Sequence, residues 1–228
     1  MKFNKETKKQ SPTKKEQVPK PLPTMTYKEY RNTKEGELYE VLNGKVIRMM
    51  NSPSTLHQVV SSQLSAEFGI YLRGKTCKVY AAPIDVYLFE NVSNKWVDEK
   101  VQNWVIPDLV VVSDPNKVKE RGIIGAPELI IEIVSPLTAK LDYKTKYRAY
   151  EKAGVLEYWI VDPSNSKVDV YLLKSGMYQE VKRHFRGDSI KVSILDNLTI
   201  NLTDIFPTLE DDEWKIAADM AAFFVDEI

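Results

Sequence analysis

Pro127-Glu128-Leu129-Ile130-Ile131-Glu132-Ile133-Val134-Ser135-Pro136 is the stretch that decides the fold. Between its prolines, every residue from Leu129 to Val134 is apolar except Glu132. A short run that is apolar on both faces and bounded by turn formers is the pattern of a central strand covered on each side. An ionised carboxylate buried there without a partner costs several kcal/mol, or its pKa climbs until it is neutral. A single such residue can be an edge effect.

Upstream, Trp104–Val112 reads as a neighbouring strand. With period-two alternation, Ile106, Asp108, Val110 and Val112 share one face, as do Ile130, Glu132 and Val134. Each strand thus carries a carboxylate inside an apolar stripe, and two on adjacent strands suggest a shared cation. Oxygen ligands without Cys or His beside them favour Mg²⁺ or Mn²⁺. The alternative is that Asp108 simply follows Pro107 at a strand start while Glu132 pairs with a buried Lys or Arg.

Downstream, a helix is expected over Thr138–Lys152, closed by Gly154. Asp142, Lys146 and Tyr150 fall at i, i+4 and i+8, on one helical face. Because the helix begins just past Pro136, that face can carry the Lys146 ammonium to Glu132, where it would offset charge building on a phosphoryl group. The alternative is an Asp142–Lys146 surface pair worth ~0.3–0.5 kcal/mol.

Further out, Thr26 and Glu29 have the spacing of a capping box for a helix over 26–35. Asn43-Gly44 between two apolar runs predicts a hairpin over Leu38–Ile47. Val60, Leu64, Phe68, Tyr71 and Leu72 line one face of a helix from His57 to Leu72, with Gly74 beyond its end. Lys78–Phe89 and Tyr158–Val161 read as strands, Val168–Leu173 and Met177–His184 as a hairpin, and residues 189–202 as weaker strands. Turn chemistry lies at Asn91–Asn94, Asp114-Pro115-Asn116 and Gly125-Ala126-Pro127. The expected architecture is α/β (α+β), a mixed sheet flanked by helices, with an N-terminal hairpin and extra C-terminal strands.

Composition excludes several classes. The 228 residues suit one domain plus appendages, and 43% hydrophobic with 28% charged residues can bury a core. With 32 basic and 32 acidic residues the chain lacks the positive excess of a DNA-coating protein. A lone cysteine, Cys77, excludes an internal disulfide and a multi-cysteine zinc site, and reads as a small apolar filler. No apolar run approaches the ~20 residues of a membrane span, and the lysine-rich N-terminus lacks an apolar signal core. A cytoplasmic protein without membrane contact is expected. Residues 1–24 read as a disordered basic tail, either idle or touching phosphate backbone. The domain spans 25–205. Residues 206–228 are expected to form an amphipathic helix, with Trp214, Ile216, Ala217, Met220 and Phe224 at helical spacing. It would pack on the domain or on a second subunit, which makes a homodimer an expectation.

The ordered set of segments resembles the Uma2 family, placed in the PD-(D/E)XK superfamily of restriction-endonuclease-like proteins. The likeness is carried by Tyr39–Lys45, Ser52-Pro53-Ser54 with His57-Gln58, and Pro107–Val112. It continues through Gly125–Pro136, then Asp142, Lys146 and Tyr150, and Ala153–Pro163, spanning about residues 25–185. The resemblance implies an αβββαβ core and a metal-dependent endonuclease acting on DNA. Asp108, Glu132 and the Ile133 carbonyl would then hold one or two Mg²⁺ (or Mn²⁺) ions. The superfamily's usual lysine, two residues after the second acid, is Val134 here. The family's variant, with the lysine on the following helix, assigns that role to Lys146.

Glu40 matches the family's hairpin glutamate, as a further metal ligand or water-orienting base, or else as a cross-strand surface partner. Asp85, in Ile84-Asp85-Val86, either lines the metal site or faces a turn. His57 and Gln58 would contact substrate phosphate or a metal-bound water, or else cap and pack the helix end. His184 has no supporting context, and Tyr150 and Trp159 read as core. Two rival functions are a catalytically silent nuclease-fold module that binds DNA or protein, and a structural module built on a buried ion-pair network.

Overall fold

A computed structural model describes residues 24–33, 38–48, 52–90, 101–136 and 138–207. The expected basic tail, the turn at Asn91–Asn94 and the C-terminal amphipathic helix lie, but for Thr24 and the last residues before 208, outside this set.

In chain order the elements are α1 (Tyr27–Arg31), β1 (Tyr39–Leu42), β2 (Lys45–Arg48), α2 (Thr55–Leu72), β3 (Lys78–Ala81), β4 (Val86–Tyr87) and β5 (Leu109–Val112). Then come β6 (Val118–Lys119), β7 (Gly122–Ile124), β8 (Leu129–Ile133), a wide helical turn over Leu141–Lys146 that runs into α3 (Tyr147–Ala153), and β9 (Glu157–Asp162). The chain continues with β10 (Lys167–Lys174), β11 (Met177–Tyr178), β12 (Lys182–Phe185), β13 (Ser189–Lys191), β14 (Thr199–Asn201) and α4 (Leu202–Ile205).

Local chemistry accounts for several of these. Both halves of the Thr26–Glu29 capping box are present at α1. Asn43 and Gly44 take φ of 52° and 73°, the left-handed pair that joins β1 to β2 through a two-residue turn. Ser54 caps α2 by accepting from the His57 amide, and Val60, Leu64, Phe68 and Leu72 form its buried face.

The main sheet runs β11-β10-β9-β8-β5-β3, with β12 also paired to β10. Strand β8 pairs antiparallel with β5 and parallel with β9, as a strand returning through a helical crossover must. The succession α2, β3, β5, β8, α3, β9 is an αβββαβ core. Alternation along the two central strands divides the interior. Leu109, Val111, Leu129, Ile131 and Ile133 pack with the apolar face of α2. Val110, Val112, Ile130 and Val134 pack with Tyr150, Val155 and Tyr158 on the α3 side. Burial at this level contributes ~1.5–3 kcal/mol per large aliphatic side chain, so these layers fix which way Glu132 faces.

Three segments depart from the sequence reading. Lys78–Phe89 is not one strand, because after Ala81 the chain turns at Ala82-Pro83 and β4 joins a separate sheet with β7 and β6. Proline lacks the N–H that a central ladder needs. Trp104–Val112 likewise starts as isolated bridges, Trp104 to Val41 and Val105 to Val86, and only Leu109 onward is continuous strand. The Val168–His184 hairpin is split: β11 pairs with the end of β10 and β12 with its beginning.

Candidate active site

The Glu132 side chain points from β8 toward the helix above it. Lys146, at the end of the wide turn, places its Nζ 2.9 Å from Glu132 Oε1. The same oxygen accepts from the Tyr150 hydroxyl at 2.5 Å. Glu40 arrives from the hairpin: the mutual bonds of Val41 and Trp104 dock β1 on the segment entering β5, and the Ile106 amide donates to Glu40 Oε1 at 2.8 Å. That oxygen lies 2.8 Å from Lys146 Nζ. Asp142, one turn before the lysine, stands 3.7 Å away. The four charged groups are almost sealed, with exposures of 2% for Glu40, 4% for Glu132, 2% for Asp142 and 4% for Lys146.

The wide turn makes this convergence possible. Its amide-to-carbonyl bonds span five residues rather than four, as from the Tyr147 N–H to the Asp142 carbonyl. Asp142, Lys146 and Tyr150 all still point inward, and the Tyr158 hydroxyl donates to the Asp142 carbonyl at 3.2 Å.

Three carboxylates therefore surround one ammonium. Burial raises the Glu132 carboxyl well above its ordinary range; Lys146 pulls it down, and the charges of Asp142, Glu40 and Asp108 push it up again. Asp142 is raised to about 6, by burial first, with Lys146 opposing and Glu40 and Asp108 adding. Burial alone would lower Lys146, but the surrounding carboxylates hold it firmly protonated.

Asp108 sits at the bend just ahead of β5, partly exposed. Its Oδ2 accepts the Ile133 amide at 2.7 Å, and its Oδ1 lies 3.2 Å from His57 Nε2 at the start of α2. In an extended strand the N–H and C=O of one residue project to the same edge. The Ile133 carbonyl thus faces the Asp108 side of β8. The other ring nitrogen of His57, Nδ1, is buried without a hydrogen-bond partner among the described residues.

The fold thus draws together Asp108, Glu132, Ile133, Lys146, Glu40 and His57. Asp85 goes elsewhere: its carboxylate is engaged by the hydroxyls of Tyr27 and Tyr87 at 3.1 and 3.3 Å. Gln58 is exposed on the first turn of α2, and His184 lies opposite Val168 in β12. Trp159 is core, as expected, but Tyr150 is core and network at once. Asp142 is buried in the cluster and is no surface partner of Lys146. Their shared i, i+4, i+8 face was the available signal; the hydroxyl bond to Glu132 had none.

A cation at this site would meet oxygen donors from Asp108, Glu132 and the Ile133 carbonyl, a hard donor set suited to Mg²⁺ or Mn²⁺. Among the described residues, no three His, Cys, Asp or Glu side chains are grouped to hold a metal on their own. Mg²⁺ commonly takes only one or two protein carboxylates and fills its shell with water and substrate phosphate. The donor set fits that mode of binding.

Comparison with known proteins gives this geometry a context. The chain is 28% identical over 154 residues, 66% of its own length and 75% of the relative's, to uncharacterized protein slr1290 of Synechocystis sp. (strain ATCC 27184 / PCC 6803 / Kazusa). Its fold matches the crystal structure of a "putative nuclease belonging to DUF820" from Anabaena variabilis ATCC 29413, with a TM-score of 0.62 and 20% identity, over 80% of this chain and 97% of that one. The Uma2 family model, described as "Putative restriction endonuclease", matches residues 25–203, which include every element of the αβββαβ core and every residue of the carboxylate cluster. The chain belongs to the Uma2 family.

Proposed function

We propose that this chain is a divalent-metal-dependent endonuclease that hydrolyses phosphodiester bonds in DNA. The observation that carries the reading is the imbalance at Lys146: Glu40, Glu132 and Asp142 crowd one ammonium, with Asp108 close by. A purely structural ion pair needs one counterion per charge. Carboxylate in excess of ammonium, between β8 and the helix above it, suits a site that takes up a cation.

In this reading Asp108, Glu132 and the Ile133 carbonyl hold Mg²⁺ or Mn²⁺. When bound, such an ion polarises a phosphate and lowers the pKa of water toward neutrality. The residues of the chain do the rest. Through its bond to the Ile133 amide, Asp108 ties β5 to β8 and fixes the separation of the two acids. His57 orients the other oxygen of Asp108. Tyr150 and Lys146 both bind Glu132 Oε1, which leaves Oε2 outside their contacts. Lys146 sets a fixed positive charge beside the reacting phosphate, where charge grows in the transition state. Glu40 acts as a positioning residue, bridging Lys146 to the Ile106 amide.

The test is nicking of supercoiled plasmid with Mg²⁺ or Mn²⁺, run beside the Asp108→Ala protein. Cleavage by the parent and a loss of about a thousandfold or more in the variant is the expected result. Equal nicking by both proteins, or metal titration that registers no binding dependent on Asp108 and Glu132, rejects the reading.

The saturation of Lys146 by carboxylates favours one rival, a structural module built on a buried ion-pair network. Glu132→Gln separates the two: a folded variant that no longer binds metal supports the enzyme, and an unfolded one supports the structural network.

A further inference from the structure

The helix that carries Lys146 into the cluster presents a different chemistry one residue further round. Tyr143 and Tyr147 stand one turn apart, as do Lys144 and Arg148, and with Tyr171 of β10 they line an open groove of about 590 Å³. Tyr171 meets Tyr147 edge to face, with ring centroids 5.0 Å apart. The Tyr143 hydroxyl is fixed by a 2.6 Å bond to Asp169 Oδ2, so that wall is rigid. Arg148 lies 5.5 Å over the Tyr147 ring. It is 77% exposed, and its pairing with Glu151 at 3.2 Å is a surface contact that an incoming anion can displace. Lys144 is exposed and has no ion pair among the described residues. No carboxylate lines the groove.

Aromatic walls interleaved with cations match a nucleotide, whose base stacks on a ring while its phosphate meets a cation. Bases within a duplex stack on each other and have no free face, so only an unpaired base can enter. An acidic peptide would use Lys144 and Arg148 but has no need of the tyrosine walls. We propose that this groove is a subsite for an unpaired base, and that the substrate is DNA with single-stranded character, one strand running from the groove to the carboxylate site. This rests on the nuclease reading for what happens to the strand, but not for its binding.

The full chain is titrated, with chelator present so that nothing is cut, with a fluorescent single-stranded oligonucleotide carrying one 2-aminopurine, and with its duplex. Tighter binding of the single strand is expected, together with a change in 2-aminopurine emission as the base stacks. Tyr147→Leu should abolish that change and weaken single-strand binding about tenfold while sparing the duplex. The exposed double variant Lys144→Glu/Arg148→Glu, which keeps the core intact, should weaken both. Equal losses for single strand and duplex in Tyr147→Leu, or an unchanged emission signal, overturn the subsite. So does displacement of the oligonucleotide by polyglutamate that depends on Tyr147, which would assign the groove to a protein. A parent chain that stacks the base yet nicks no DNA with Mn²⁺ defeats only the nuclease reading. One that nicks duplex without binding single strands defeats only the subsite.

Discussion

Two buried acids near the same helix have opposite surroundings. Asp169 is fully buried, yet it meets the Arg183 guanidinium at 2.7 Å, Lys167 at 3.3 Å and the Tyr143 hydroxyl at 2.6 Å. Burial pushes its carboxyl up, but the bonds from Arg183 and Tyr143 and the charge of Lys167 bring it below the ordinary range. Glu132, about as buried, shares a single lysine with two other acids and is pushed far upward. Burial alone therefore distinguishes nothing. The ratio of acid to base around the buried group separates a settled ion pair from a site with unmet charge.

The sharpest way to break this contrast is Lys146→Met. It strands three carboxylates, and a loss of about 3–5 kcal/mol in denaturant-derived stability is expected. Recovery of part of that loss on adding Mn²⁺, or by Glu132→Gln in the same chain, would identify unmet charge as the cause. A stability unchanged by the substitution would mean the cluster is not electrostatically strained.

A smaller effect is expected at Asp142. Its folded pKa of about 6 lies above the ~3.9 of an unfolded chain, so the native state holds the extra proton between those values. For a raised acid, stability is fully present at low pH and declines as pH climbs toward the folded pKa. In chelator, Asp142→Asn should remove that decline and be more stable than the parent at pH 7 by about 2–3 kcal/mol. Thermal melts from pH 4 to 7 read the difference, and parallel curves for the two proteins would refute it.

Asp169 should show the weakest effect and the reverse sign. Its lowered carboxyl contributes stability above the unfolded pKa that is lost as pH falls through the folded one. Arg183 is 52% exposed, so solvent screens the pair. Asp169→Asn should cost only about 1 kcal/mol at pH 7 and nothing in acid. A larger penalty than that of Lys146→Met would invert the comparison.

Much of the fold was legible because periodicity and turn chemistry agreed. Asn43-Gly44 marked the hairpin, the spacing from Val60 to Leu72 marked the face of α2, and the apolar run 129–134 marked the central strand. The reading failed where a strand-like composition met proline. Ala82-Pro83 and Pro107 each end a ladder that the residue types alone would continue. At the site, alternation correctly turned Glu132 toward the helix that follows β8. It misjudged Asp108, which stands at a bend outside the strand and is fixed by a bond to the Ile133 amide. Long-range contacts such as Glu40 to Lys146, or His57 to Asp108, leave no mark in local spacing.

The five-residue bonding of Leu141–Lys146 has an effect on phase. Deleting a single residue there would leave composition, charge and helix propensity almost unaltered, yet it would rotate everything that follows by roughly 100°. Lys146 would swing away from Glu132, and the ring of Tyr147 would turn with it. The sealed acids and the aromatics of the groove thus take their phase from the same peptide unit, and a change of one residue in length would displace both at once.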